Sequence, residues 1–132
     1  MHTDREYAPK GKLLEEDLTE QVLAAAFKVH NTLGCGFLEK VYENAMVVEL
    51  SRAGIAVEQQ KTIQVKYDGV IVGDYQADLI VEGRVLLECK AVSQLDPVHE
   101  AQLLNYLRAT GIRVGLLLNF GRTKLHHRRL VF

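Results

Sequence analysis

The stretch Ala77–Val92, "ADLIVEGRVLLECKAV", decides how the chain is read. Two apolar runs are separated by Glu82-Gly83; an acid, Asp78, precedes the first, and Glu88 and Lys90 interrupt the second on either side of Cys89. Side chains alternate across a strand, so Leu86, Glu88 and Lys90 share one face while Val85, Leu87, Cys89 and Ala91 share the other. The two opposite charges are therefore neighbours on one face of an otherwise hydrophobic ribbon. Whether Asp78 joins them depends on the turn. A two-residue loop at Glu82-Gly83 pairs Val81 with Arg84 and sets Asp78 opposite Leu87, on the wrong face. A three-residue loop from Val81 to Gly83, with Gly83 left-handed, pairs Ile80 with Arg84 and sets Asp78 opposite Leu86, diagonal to Glu88. We expect the odd-numbered loop or an equivalent bulge.

Around this hairpin the chain orders itself into recognisable elements. Residues 1–15 read as a flexible N-terminal arm, polar over its first twelve residues and punctuated by Pro9 and Gly11, and residues 16–132 as a single domain. From Glu16 to Leu33, Leu18, Val22, Ala25, Ala26 and Val29 recur at helical spacing, and Gly34 stands where a terminating glycine belongs. A second helix is expected from Phe37 to Ala53, with Leu38, Val41, Ala45, Met46 and Leu50 facing inward. "TIQVKY" and "VIVGDYQADLIV" flank Asp68-Gly69, a hairpin signal, with Gly73 as a bulge. The third strand is Arg84–Val92. Asp96 and Pro97 then open a third helix through Ala101, Leu104 and Leu107, closed by Gly111. "VGLLLNF" reads as a strand buried on both faces and "KLHHRRLVF" as an edge strand. The expected class is α/β, a mixed β-sheet flanked by helices, in the order α-α-β-β-β-α-β-β.

Composition narrows the function classes. A chain of 132 residues, 48% hydrophobic and 25% charged, is large enough for one proper core without disulfide or metal staples. Its formal net charge of -1 supplies no global field towards nucleic acid or an anionic membrane, so any such binding must come from a local patch. Cys35 and Cys89 read as free thiols of a cytoplasmic protein, and no run approaches the roughly 18 apolar residues of a membrane span. No membrane partner is expected.

If Asp78, Glu88 and Lys90 converge, their chemistry is specific. Two partly buried carboxylates side by side repel when both are ionised, unless a cation bridges them. Hard oxygen ligands suit Mg²⁺ or Mn²⁺ better than zinc. A lysine beside such an ion can orient a water or neutralise charge developing on a phosphate, which is equipment for phosphodiester hydrolysis. The bland alternative is an ordinary ion pair on a solvated sheet face.

These residues carry a resemblance. Asp78 followed ten residues later by "ECK" resembles the signature of the PD-(D/E)XK nuclease superfamily, with Ala77 in the place of the signature proline. "GFLEKVY", Gly36–Tyr42, within "HNTLGCGFLEKVYENA", is similar to the motif of the GxxExxY branch, and "QLLNY" sets Gln102 and Tyr106 in the Q-x-x-x-Y arrangement of RecB-like members. The resemblance implies a restriction-endonuclease-like fold and a Mg²⁺- or Mn²⁺-dependent nuclease acting on DNA, with RNA as the second substrate. The alternative is a catalytically inactive module of the same fold that binds nucleic acid or a protein partner. Small nucleases of this fold often pair, so a homodimer is among the expectations.

The resemblance also implies roles. Asp78 and Glu88, joined by Glu39, are the metal ligands; Lys90 is catalytic and Gln102 supports it; Tyr106, Tyr42, His30 and Gln94 are candidate substrate contacts. Each has a structural competitor. Glu39 is also an acid at a helix N-terminus, which the helix dipole favours. Tyr42 is as well suited to the core, and His30 shares a face with Val22 and Ala26, where a hydrogen-bonded core histidine is the commoner outcome. Gln102 and Tyr106 share a helix flank with His99. The best basic cluster is C-terminal, Arg122, Lys124, His126, His127, Arg128 and Arg129, and charge on an edge strand also resists aggregation.

Overall fold

The computed structural model describes residues 12–132. Helix α1 spans Glu16–Leu33 and α2 Glu39–Arg52; strands β1 (Val57–Tyr67), β2 (Val70–Val81) and β3 (Val85–Lys90) follow; then come α3 (Pro97–Thr110), β4 (Val114–Asn119) and β5 (His126–Val131). The order is the expected α-α-β-β-β-α-β-β. The five strands form one sheet in the order β1-β2-β3-β4-β5, with β3 and β4 parallel and every other neighbour antiparallel. The α3 crossover between β3 and β4 is what makes the parallel pair possible.

Alternation sorts the core into two layers. Leu79, Val81, Val85, Leu87, Cys89, Leu116 and Leu118 pack against α1 and α2 through Leu18, Val22, Val29, Met46 and Leu50. Ile80, Leu86 and Leu117 pack against α3 through Leu103, Tyr106 and Leu107. All six residues of β4 are buried, as a strand covered on both faces requires. The edge strand β5 is only half buried.

Turn chemistry sets the registers. Asp68 (φ 50°) and Gly69 (φ 78°) are both left-handed, and Tyr67 pairs with Val70, which is the two-residue hairpin turn that an Asp-Gly dipeptide favours. Val65 pairs with Gly73 and Lys66 with Ile71, so the bulge falls on Val72, next to the glycine expected to carry it. Between β2 and β3 the loop has an odd number of residues, but it is Glu82–Arg84 rather than Val81–Gly83: Val81 pairs with Val85, Ile80 with Leu86 and Leu79 with Leu87. Glu82 and Gly83 are left-handed, and Arg84 N–H donates to Val81 O at 2.9 Å.

Other expectations shift in detail. The first turn of α2 begins at Glu39, not Phe37, and its inward face is Tyr42, Glu43, Met46 and Leu50; Leu38 is 81% exposed and Val41 is exposed. Strand β3 is shorter than Arg84–Val92. In α3 the buried positions are Leu103, Tyr106 and Leu107, with Ala101 outside. Its start is as read: Asp96 accepts from Val98 N–H at 2.9 Å and His99 Nδ1 from Asp96 N–H at 3.1 Å, a reciprocal cap. Of the arm expected over residues 1–15, residues 1–11 lie outside the described residues. Residues 12–15 are tied to the domain, with Leu14 packed against the core and Glu15 beside Arg84 at 3.6 Å.

Candidate active site

The site forms where β2 leaves β3. Their pairing ends at Leu79 and Leu87, and continuing that register by one residue sets Asp78 level with Glu88. Strand divergence strips the backbone N–H groups at this point of main-chain partners, and buried donors must find others. Carboxylates take them: Asp78 N–H donates to Glu88 Oε2 at 3.0 Å, and Cys89 N–H donates to Asp78 Oδ2 at 2.8 Å. The pair is closer than the diagonal placement the sequence predicted, because the loop slid by one residue on each side without changing parity.

The electrostatics follow from burial and like charge. Glu88 is 5% exposed. Desolvation first, and the Asp78 charge second, push its carboxyl up to about 8, against the lowering effects of the Asp78 N–H and the Lys90 ammonium. Asp78 is raised too, mainly by burial, with Glu43 and Glu39 adding to the shift while the Cys89 N–H and Lys90 oppose it. Lys90 therefore lies within electrostatic reach of both acids. Burial also pushes the Cys89 thiol well up, and both cysteines are free.

A cleft of 520 Å³ on the α2 side is lined by Glu39, Glu43, Gln60 and Asp78 among others. Glu39 is exposed, and its Oε2 lies 3.4 Å from Ala91 N. Glu43, which the sequence reading missed, is 3% exposed. It accepts from Lys40 Nζ at 3.0 Å, Gln59 Nε2 at 2.7 Å, and Gln60 Nε2 at 3.0 and 2.9 Å on its two oxygens. Gln60 also reaches Asp78 Oδ1 at 3.5 Å and is itself left-handed, φ 55°. The signal was present: Glu43 lies four residues after Glu39, one turn on along the same face. Asn119 was missed as well. It is fully buried, accepts from Val92 N–H at 3.1 Å and Gly121 N–H at 3.0 Å, and donates to Val92 O at 3.0 Å. As the one polar side chain in "VGLLLNF" it clamps the segment just after Lys90.

Two candidates belong to the core instead. Tyr42 is fully buried, stacks on Phe120 at 4.7 Å between ring centroids, donates to Gly34 O at 2.6 Å and accepts from Phe37 N–H at 3.2 Å. It pins the Gly34-Cys35-Gly36 connection and has no surface to offer a substrate. His30 is 6% exposed, with Nε2 2.8 Å from Arg122 O and its ring beside Phe120. The core reading of both positions prevails because the Tyr42 hydroxyl and His30 Nε2 each found a backbone partner within the fold. Tyr106 is 7% exposed and stands 5.7 Å from Tyr75; its hydroxyl is raised by burial first and then by the charges of Glu88, Tyr75 and Asp78. Gln102 is exposed on the same helix, and Gln94 is exposed in the bend after β3. In the C-terminal cluster, Arg128 lies 3.9 Å from Glu100 and His127 packs edge-on to Phe27.

The donor set fits a hard divalent cation. Among the described residues no three or more His, Cys, Asp or Glu side chains are gathered tightly enough to hold an ion alone. Mg²⁺, however, is commonly bound through one or two carboxylates, with water and substrate oxygens completing the shell. Two adjacent acids that both resist ionisation are what a cation would relieve.

A mixed sheet with two helices on one face, a crossover helix on the other, and an acid pair plus lysine where its strands part is a restriction-endonuclease-like architecture. The family model of the PD-(D/E)XK nuclease superfamily matches residues 16–130, and the chain belongs to that superfamily. Among solved structures, the crystal structure of SSO0001 matches at 16% identity with a TM-score of 0.54, covering 89% of this chain and 58% of that one. At that identity the likeness is one of fold, and the chain spans little more than half of the solved protein. No curated protein matches. Among the described residues no helix is long and apolar enough to cross a membrane.

Proposed function

We propose that the protein is a metal-dependent nuclease of the GxxExxY branch that hydrolyses phosphodiester bonds in DNA. The observation that carries this reading is the reciprocal bonding of Asp78 and Glu88 at the end of strand pairing, with both carboxyls raised and Lys90 beside them. Asp78 and Glu88, with Glu39 at the mouth of the cleft, would hold Mg²⁺ or Mn²⁺, which when bound supplies Lewis-acid stabilisation of the charge on the reacting phosphate. Lys90 orients the attacking water and balances negative charge near the scissile bond. Gln102 supports Lys90, and Tyr106 faces the substrate backbone. Two free cysteines accord with work in a reducing cytoplasm.

The direct test incubates purified protein with labelled single-stranded, double-stranded and branched DNA and RNA in Mg²⁺, in Mn²⁺ and in chelator. Cleavage of DNA that needs the metal supports the reading. Binding without cleavage under every condition would replace it with that of a catalytically inactive module.

A further inference from the structure

A second concavity lies on the other side of the sheet. Between the β1–β2 ribbon and α3 runs a groove of 1260 Å³. Its walls carry three cations, Lys61, Lys66 and Arg108, and one acid, Glu58. In a chain of net charge -1 this is a local positive excess where the bulk supplies none. The one acid does little to cancel it. Glu58 meets Lys61 at 2.9 Å, but both side chains are more than half exposed, and such pairs contribute little against competing phosphate. Arg108 rests over the Phe132 ring at 5.5 Å and donates to Asn105 at 3.2 Å, contacts that hold the guanidinium at the rim.

The groove also offers a base platform. The Tyr75 ring lines it and is 48% exposed, tilted against Tyr106 at 5.7 Å. Tyr106 is shared between the groove and the acid pair, since it lines the first and lies in reach of the charges of the second. A chain lying along the cations and past Tyr75 therefore reaches Tyr106, which is within electrostatic reach of Glu88.

We infer that this groove binds single-stranded nucleic acid, with phosphates on Lys61, Lys66 and Arg108 and an unpaired base on the Tyr75 ring, and delivers it to the carboxylate gap. The strandedness follows from the platform, because an exposed aromatic face can stack only on a base whose own face is free. The inference rests on the nuclease reading for the direction of the track, but its binding content is measured without catalysis.

The test is fluorescence anisotropy of a labelled single strand in chelator across a range of salt, with a duplex of the same sequence alongside. Lys61→Gln with Lys66→Gln should weaken binding and lower the slope of log affinity against log salt by about 1.4, since each phosphate contact on a single strand contributes about 0.7. Tyr75→Ala should weaken binding roughly five- to a hundred-fold with the slope unchanged. All three positions are exposed, so melting temperatures should hold. Tighter binding of the duplex, wild-type affinity and slope in the lysine pair, or no binding by the wild type would each overturn the inference. So would a lysine pair that changes only the molar mass in light scattering, since the groove would then be filled by a second copy of the chain. If the wild type shows no metal-dependent cleavage but the variants bind as described, the nuclease reading fails and the groove stands. If it cleaves and the variants bind like wild type, the reverse holds.

Discussion

Asp78 and Glu88 each accept a hydrogen bond from the backbone of the other's strand: Glu88 Oε2 from Asp78 N–H at 3.0 Å, and Asp78 Oδ2 from Cys89 N–H at 2.8 Å. Side chains thus complete a ladder that the backbones abandon. The arrangement holds the two acids together at the cost of crowding their charges in a buried place, which a cation can relieve and bulk water cannot.

That crowding makes stability depend on pH. Glu88 titrates near 4.5 when unfolded and is pushed up to about 8 when folded, so between those values the folded chain binds the extra proton. Stability from this group is fully present below about pH 4.5 and is lost as pH rises towards 8. In metal-free protein, Glu88→Gln should remove most of that decline and melt at a higher temperature than wild type at pH 8. Mg²⁺ should bind wild type more tightly at pH 8.5 than at pH 6.5, because the proton must leave first. Parallel decline in wild type and variant would contradict the placement of Glu88.

Tyr42 separates scaffold from chemistry. Its hydroxyl bridges Gly34 O and Phe37 N–H from a fully buried position. Tyr42→Phe should cost about 1–2 kcal/mol in chemical denaturation while kcat on DNA changes less than two-fold. A large fall in kcat at unchanged stability would return Tyr42 to the site.

Glu43 anchors four donated hydrogen bonds from Lys40, Gln59 and Gln60. Removing it leaves those partners without their acceptor, so Glu43→Ala should cost about 1–3 kcal/mol in urea unfolding. A loss under about 0.5 kcal/mol would mean that the network contributes nothing to the fold.

Much of this was legible beforehand, for physical reasons that differ by position. Asp68-Gly69 and the Asp96-Pro97 helix start are local chemistry, so short windows suffice to place them. The odd loop before β3 was legible because only one parity lets Asp78 meet Glu88. Its exact residues were not, since Val81–Gly83 and Glu82–Arg84 satisfy the same parity and tertiary packing of Val81 chose between them. The inward face of α2 was misread because Leu38 and Val41 are apolar, yet Tyr42 and Glu43 found their partners in buried Phe120 and half-buried Gln60, which lie far away in sequence. Asn119 stayed hidden in an apolar strand for the same reason: its value lies in the backbone of Val92, across the parallel pair.

Lys90 carries the account's central claim, that the acid pair and the amine beside it form one hydrolytic site. The decisive measurement is the single-turnover rate of DNA cleavage in Mg²⁺ by wild type and Lys90→Ala, paired with calorimetric Mg²⁺ binding by both. We expect cleavage to fall at least a hundred-fold in the variant while Mg²⁺ affinity stays within a few-fold of wild type. Equal rates for the two proteins would contradict the claim.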